Sequence, residues 1–360
     1  MPFLTANYGN PSSIHQEGRT TRAAIESARK TVASLIGAST GEIFFTSGGT
    51  ESNNMAIKCA VTDLGVQRII SSPAEHHCVK HSVEHLHDRG LVRVDIVKVD
   101  EFGVPDLASL EALLSSDNTP TLVTLMHANN ELGSLIDLNA VSALCRKYGA
   151  WLHSDTVQTI GHYKINVQET PVDFLSGAAH KFYGPKGVGF IYINHRCRIQ
   201  PLIDGGSQER NMRAGTENIS GIVGLSKAMQ LAYGELDQDM EHISSIKEYM
   251  KSKLLQACPG IKFNGHPDKN LYTVLNCSFP PGPQNDLMIL SLDIAGVSVS
   301  GGSACSSGAE TQSHVLQAIG HPSDRKAVRF SFSRTTTQED IDYAVDQVAG
   351  ILAGGVHAMT

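Results

Sequence analysis

The chain has 360 residues, enough for roughly two domains of ordinary size. Charged residues make up only 18% and the net charge is −7, which argues against a nucleic-acid partner, since phosphate binding needs a basic face, while leaving room for a local basic pocket for a small anion. With 33 glycines and 41% apolar residues, the composition points to buried sheet and many tight turns.

Seven cysteines form an odd set with no Cys-x-x-Cys pair. Together with a start that has neither a basic region nor an apolar core, they read as reduced thiols in a cytosolic protein. No apolar run approaches the roughly 20 residues that cross a bilayer.

In chain order, Ile25, Ala28, Val32 and Leu35 recur at helical spacing, and Gly37 follows as a stop. The apolar run Ile43-Phe44-Phe45 leads into the turn Thr46-Ser47-Gly48-Gly49-Thr50, with a helix expected from near Glu51. Alternation then predicts strands over Arg68 to Ser71, Val92 to Val99, Thr121 to Met126 and Trp151 to His153. Helices are expected over Val79 to His87 and Ala140 to Tyr148. Short apolar strands separated by helices predict a mostly parallel α/β sheet.

Phe174 to Ala179 and Gly189 to Ile193 read as two more strands around a Gly-Pro-Lys-Gly turn. The stretch from about 222 to 256 reads as one long connecting helix. Strands follow at Tyr272 to Ser278 and Val328 to Ser333, and Thr337-x-x-Asp340 resembles a capping box that opens the last helix. A boundary near 236 gives a large domain over 8–236 and a smaller one over 237–360 that carries Cys305.

Four places carry chemistry. Gly48-Gly49-Thr50 joins a strand to a helix, where backbone N–H groups and the helix dipole suit a phosphate, although such a turn is more often only a turn. No Gly-x-Gly-x-x-Gly and no Gly-Lys-Ser/Thr loop is present, so ordinary nucleotide binding lacks support. Asp155 ends a strand, where ligands of open α/β sheets collect, or else serves as a helix N-cap. Lys181, beside an apolar strand, is suited to hold an aldehyde. Cys305 lies in Ser300-Gly301-Gly302-Ser303-Ala304-Cys305-Ser306-Ser307-Gly308, a polar, glycine-rich setting unlike the apolar ones of Cys145 and Cys277, and is the thiol suited to react.

These segments resemble the cysteine desulfurases, a branch of the class V aminotransferases with the fold-type-I pyridoxal-phosphate architecture. The matching stretches are Gly9 to Ser13, Phe45 to Ser52, Glu75-His76, Asn129-Asn130-Glu131, Asp155 to Gln158, His180 to Gly187, Gln208 to Arg210, Arg213 to Asn218, Ser303 to Cys305 and Val328 to Ser331, in family order. The resemblance implies a large domain with a mostly parallel seven-stranded sheet, a smaller α+β domain and a homodimer.

It also implies a role for each site residue. Lys181 holds pyridoxal 5'-phosphate, Asp155 pairs with its ring nitrogen, and His76 stacks on the ring. Asn130 and Gln158 contact its phenolic oxygen. Gly49, Thr50 and His180 hold the phosphate, with Thr216 reaching in from a second subunit. Arg329 grips the carboxylate of L-cysteine. Cys305 takes the sulfur as a persulfide, releasing alanine, for a sulfur-acceptor or iron–sulfur scaffold protein or for tRNA thiolation.

Two features depart from the pattern. The resemblance implies an Asp-Asn/Tyr-Ala-Thr-Thr strand ahead of Gly9, where this sequence has eight residues. Ala178 stands where a serine commonly binds the phosphate, worth about 1 kcal/mol of cofactor affinity.

Other readings are weaker. His81-Ser82-Val83-Glu84-His85 fits an inverted zinc-peptidase pattern, but among 16 histidines it reads as an exposed helix face, and no metal is expected. An aminotransferase has no need of Cys305, and decay to a non-catalytic partner protein disagrees with intact Lys181, Asp155 and Cys305. A selenocysteine lyase remains an alternative.

Overall fold

The computed structural model describes residues 2–302 and 313–354. Cys305 lies outside the described residues.

Seven strands form the main sheet: β1 (Ile43–Thr46), β2 (Arg68–Ser71), β3 (Arg93–Ile96), β4 (Thr121–Thr124), β5 (Trp151–Asp155), β6 (Phe174–Ala178) and β7 (Gly189–Ile193). Their order is β1-β7-β6-β5-β4-β2-β3, and only β7 runs against the other six. In β1, β2, β4, β6 and β7 every residue is buried, as expected for strands covered on both faces.

The helices of this part are α1 (Pro2–Thr5), α2 (Gln16–Leu35), α3 (Gly49–Asp63), α4 (His77–Asp88), α5 (Leu107–Ser115), α6 (Leu138–Lys147), α7 (Gln208–Asn211) and α8 (Ile219–Gly234). The expected stop of α2 is real: Gly37 takes φ +72°, a left-handed backbone that suits glycine. The core beneath α3 and α4 includes Met55, Ile57, Ile69, Val79, Leu122 and Phe174.

The long helix expected over 222–256 is two helices. α8 ends at Gly234, and α9 (Leu236–Ala257) restarts at once with Asp237 and Asp239 in its first turn. Glycine is a poor helix residue and the acidic turn favours a new N-terminus, so the apolar period continues while the hydrogen-bond ladder breaks.

The chain divides into two compact units. The first holds the residues up to Lys98, Asp106–His127 and Asp137–Leu236. The second holds Val99–Pro105, Ala128–Ile136 and the described residues from Asp237 on. The boundary expected near 236 places 99–105 and 128–136 in the large domain, whereas they belong to the second unit. Each is a short excursion closed on itself, by bridges Val99 to Pro105 and Ala128 to Leu135, and Ser134 bridges to Asn270.

In the second unit β8 (Lys262–Asn264), β9 (Val274–Phe279) and β10 (Lys326–Ser331) form an antiparallel sheet in the order β10-β9-β8. With it go α10 (Met288–Ile294), α11 (His314–Ala318) and α12 (Gln338–Leu352). The capping box of α12 forms as expected: Thr337 Oγ1 accepts from Asp340 N, and Asp340 Oδ2 accepts from Thr337 N at 2.9 Å. No helix among the described residues is long and apolar enough to cross a membrane.

Candidate active site

The carboxyl ends of β1, β5 and β6 lie on one edge of the first unit, because these strands run in the same direction. After β1 the chain turns directly into α3. Gly49 is required there by close approach, since a Cβ would stand 2.5 Å from Val157 Cγ2 and 3.8 Å from Ala178 Cβ. The turn therefore presses onto the ends of β5 and β6 while the first-turn N–H groups of α3 offer an anion site. Thr50 follows, exposed.

Asp155 closes β5 and is 5% exposed. Its Oδ1 accepts from Val157 N at 2.9 Å and its Oδ2 from Asn53 Nδ2 at 2.7 Å. Two donors hold this buried group as an acceptor at the strand end. Gln158 is half-buried in the turn that follows.

Lys181 sits in a single 3-10 turn, Ala179–Phe182, directly after β6. Its neighbours Ala179 and Phe182 are fully buried, whereas Lys181 itself is exposed. The turn is clamped by His162 Nε2, which donates to the Lys181 carbonyl at 2.8 Å, and ends at Tyr183 in the left-handed region. His180 is held below the usual histidine range by burial, then by the charges of Lys181 and Lys186. The charges of Lys181 and Lys186 make a locally basic spot in an acidic protein.

His76 caps the N-terminus of α4, with Nδ1 accepting from Cys78 N at 3.2 Å. The preceding Glu75 is 1% exposed, and burial pushes its carboxyl well above the usual carboxylate range. It accepts from Met126 N at 2.8 Å, tying the turn after β2 to the end of β4.

Thr216 is exposed in the loop that follows α7, a short turn whose backbone is largely non-helical. Glu209, Arg210 and Asn211 all adopt positive φ, a conformation that costs non-glycine residues of order 1 kcal/mol or more each. Buried Glu209 holds the segment by a two-pronged pair with Arg29, at 2.7 and 2.9 Å, and by Phe45 N at 2.8 Å. Arg213 is paired to Glu51 at 2.9 and 3.2 Å.

In the second unit Arg329 Nη1 donates to the Asn130 carbonyl at 2.7 Å. The Arg329 backbone bridges Ser300 in both directions, at 2.7 and 3.2 Å. Glu131 is 1% exposed and accepts from Ser313 Oγ at 2.5 Å. Arg329 Nε is buried without a hydrogen-bond partner, so the guanidinium keeps a donor for a carboxylate.

The first unit thus holds Gly49, Thr50, His76, Asp155, Gln158, His180, Lys181 and Thr216, and the second holds Asn130 and Arg329. Sequence reasoning missed Asn53. The matched stretch ended at Ser52, yet a fully buried asparagine facing a sheet must find partners. In the zinc-peptidase-like run, Glu84 is paired with Lys80 at 2.6 Å. Among the described residues no group of three or more His, Cys, Asp or Glu could hold a metal ion.

The family model described as aminotransferase class V matches residues 1–344. A relative from Dictyoglomus turgidum called cysteine desulfurase IscS is 44% identical over 355 residues, which is 98% of this chain and 89% of the relative. A solved NifS-like protein is similar with a TM-score of 0.90 and 36% identity, covering 98% of this chain and 94% of that one. The structure titled SspA in complex with cysteine has a TM-score of 0.80 at 29% identity, covering 93% and 94% of the two chains. A match of this extent settles the family: the chain belongs to the class V aminotransferases, within their cysteine desulfurase branch.

Proposed function

We propose that the protein is a pyridoxal-phosphate-dependent cysteine desulfurase that converts L-cysteine to L-alanine and leaves the sulfur on Cys305. The observation that carries this reading is the buried Asp155 carboxylate on the same sheet edge as Lys181, in a chain that aligns almost end to end with cysteine desulfurases. The cysteine-bound neighbour supports cysteine as substrate.

The residues fit the cofactor. Asp155 has both oxygens already oriented by donors and would accept from a protonated ring nitrogen. The glycine-tight start of α3, Thr50 and His180 would hold the phosphate. His76 would lie on the ring, with Asn130 and Gln158 at the phenolic oxygen. Thr216, exposed in its anchored loop, would complete the phosphate site of a second subunit in a homodimer. When bound, the cofactor supplies an electron sink for the bonds at the substrate's α and β carbons.

The chain's own groups do the rest. Arg329, whose buried Nε has no hydrogen-bond partner, grips the substrate carboxylate. Lys181, the cofactor anchor, takes and returns the proton at the α carbon. The Cys305 thiolate attacks the substrate sulfur, so a sulfur–sulfur bond forms while the carbon–sulfur bond breaks. The β carbon keeps that electron pair and takes up a proton, giving alanine and a persulfide. A sulfur-acceptor or iron–sulfur scaffold protein would then receive the sulfur, in a cytoplasm that keeps the thiols reduced.

Lys181→Ala should lose the visible absorption band of lysine-bound pyridoxal phosphate, because Lys181 is the lysine clamped at the end of β6. An unchanged spectrum in that variant would overturn the assignment.

A further inference from the structure

A continuous polar chain runs behind the candidate site, linking Asp155 and His76 through Asn53, Cys78, His153 and Thr124, which none of the roles above uses. Asn53 Nδ2 donates to Asp155 Oδ2 at 2.7 Å and also reaches Cys78 Sγ at 3.2 Å. Asn53 Oδ1 stands 3.0 Å from His153 Nε2, and His153 Nδ1 stands 2.8 Å from Thr124 Oγ1. At the other end Cys78 Sγ is 3.0 Å from His76 Nδ1. Asn53, His153 and Thr124 are fully buried.

The proton positions follow by elimination. The Asp155 carboxylate only accepts, so the amide nitrogen of Asn53 faces it and both amide hydrogens are used, one on Asp155 and one on Cys78. Asn53 Oδ1 must then accept from His153 Nε2–H. That leaves His153 Nδ1 bare to accept from Thr124. Burial holds His153 down at about 3, so it stays neutral at ordinary pH. Burial also pushes the Cys78 thiol up to about 12, so it keeps its hydrogen; the Asn53 amide and the Thr50 hydroxyl lie against the sulfur as donors, and the acceptor beside it is His76 Nδ1. That nitrogen receives the Cys78 N–H as well, so the imidazole proton belongs on Nε2.

We propose that Asn53 and Cys78 form a positioning fork, in which one amide aims the Asp155 carboxylate and, through the Cys78 thiol, reinforces the Nε2–H form of His76 that the Cys78 backbone N–H already favours. The fork would join the group assigned to the ring nitrogen to the group assigned to the ring face, and the reading rests on that cofactor assignment. A fully satisfied buried network of this kind holds its members in one arrangement. Neither Asn53 nor Cys78 touches the reacting atoms in this scheme; they act through Asp155 and His76.

The test uses the full-length protein in three variants: Asn53→Leu, Cys78→Ala and Cys78→Ser. Loss of a hydrogen bond to a charged group should weaken pyridoxal-phosphate binding in Asn53→Leu by about tenfold or more, with kcat lowered more than KM is raised. In protein labelled with 15N-histidine, the His76 signals, identified by their loss in His76→Gln, should show a pyridine-type Nδ1 and a protonated Nε2. Cys78→Ala should move the Nδ1 signal toward that of a free pyridine-type nitrogen, and Cys78→Ser, which restores a donor, should move it back.

Cys78→Ala removes only a sulfur from a half-buried helix start, so it keeps the test open should Asn53→Leu fail to fold. Wild-type affinity in Asn53→Leu, or a His76 signal indifferent to Cys78→Ala, overturns the fork. Failure of the wild-type protein itself to bind pyridoxal phosphate overturns the cofactor reading instead.

Discussion

The corner around Asp155 and the corner around Arg329 are both built from buried charge, yet they are finished to different degrees. Each Asp155 oxygen has an N–H donor, and Asn53 is itself held from behind by His153. Arg329 spends Nη1 on the Asn130 carbonyl and leaves Nε buried without a partner, while nearby Glu131 accepts from Ser313. A buried donor without a partner costs about 1–3 kcal/mol or more until something accepts from it. The first corner is complete before any ligand arrives, which suits a framework for a resident cofactor. The second keeps an open cation, which suits a substrate carboxylate that comes and goes.

Arg329→Lys breaks the contrast hardest. A lysine keeps the charge but loses the planar fork, so KM for L-cysteine should rise by about 10- to 100-fold with kcat changed less. Steady-state kinetics with alanine as the measured product checks this; an unchanged KM would remove Arg329 from the substrate site.

A smaller effect should appear in the pH dependence of stability. Burial holds His153 at about 3 and His127 at about 4, whereas both titrate near 6.5 in the unfolded chain. Between those values the unfolded chain binds one more proton per histidine, so the stability each contributes is full above about pH 6.5 and falls on acidification by about 1.4 kcal/mol per pH unit, while buried Glu75, whose carboxyl is pushed up, has the opposite slope. Urea unfolding between about pH 7 and pH 5 should show this slope, and His153→Gln should make it shallower by one proton. An unchanged slope in His153→Gln would mean that the Asp155 corner is not closed to protons as described.

The smallest effect sharpens the comparison from the phosphate side. Ala178 Cβ stands 3.8 Å from the Cβ position of Gly49, at the start of the anion-facing helix. Ala178→Ser should add one hydrogen bond to the phosphate and tighten cofactor binding by about fivefold, or about 1 kcal/mol. Fluorescence titration of the cofactor-free protein measures it, and weaker binding would place the phosphate elsewhere.

Much of this architecture was legible in the sequence, and the exceptions share a cause. Strands such as Gly189–Ile193 were readable because every residue in them is buried, which leaves an uninterrupted apolar run. The break between α8 and α9 was not, because the apolar period passes through Gly234 and Glu235 unchanged. The excursions 99–105 and 128–136 were invisible because what sends them to the second unit is a few bridges such as Ser134 to Asn270, which leave no periodic trace. Lys181 and Asp155 could be picked out by their position at strand ends. Asn53 could not, since an asparagine in a helix reads as a solvated face until the sheet beneath it is known. Cys78 was hidden for the same reason, inside a run of histidines.

The central claim is sulfur transfer to Cys305, and a single turnover without added reductant tests it most directly. Protein reconstituted with pyridoxal phosphate and mixed with L-cysteine should form alanine and persulfide in equal amounts, with the extra sulfur on the peptide that contains Cys305. Cys305→Ser should keep the visible band and its change on adding cysteine, yet form neither product. Alanine formed by Cys305→Ser at close to the wild-type rate, or a persulfide found on another cysteine, would contradict the account.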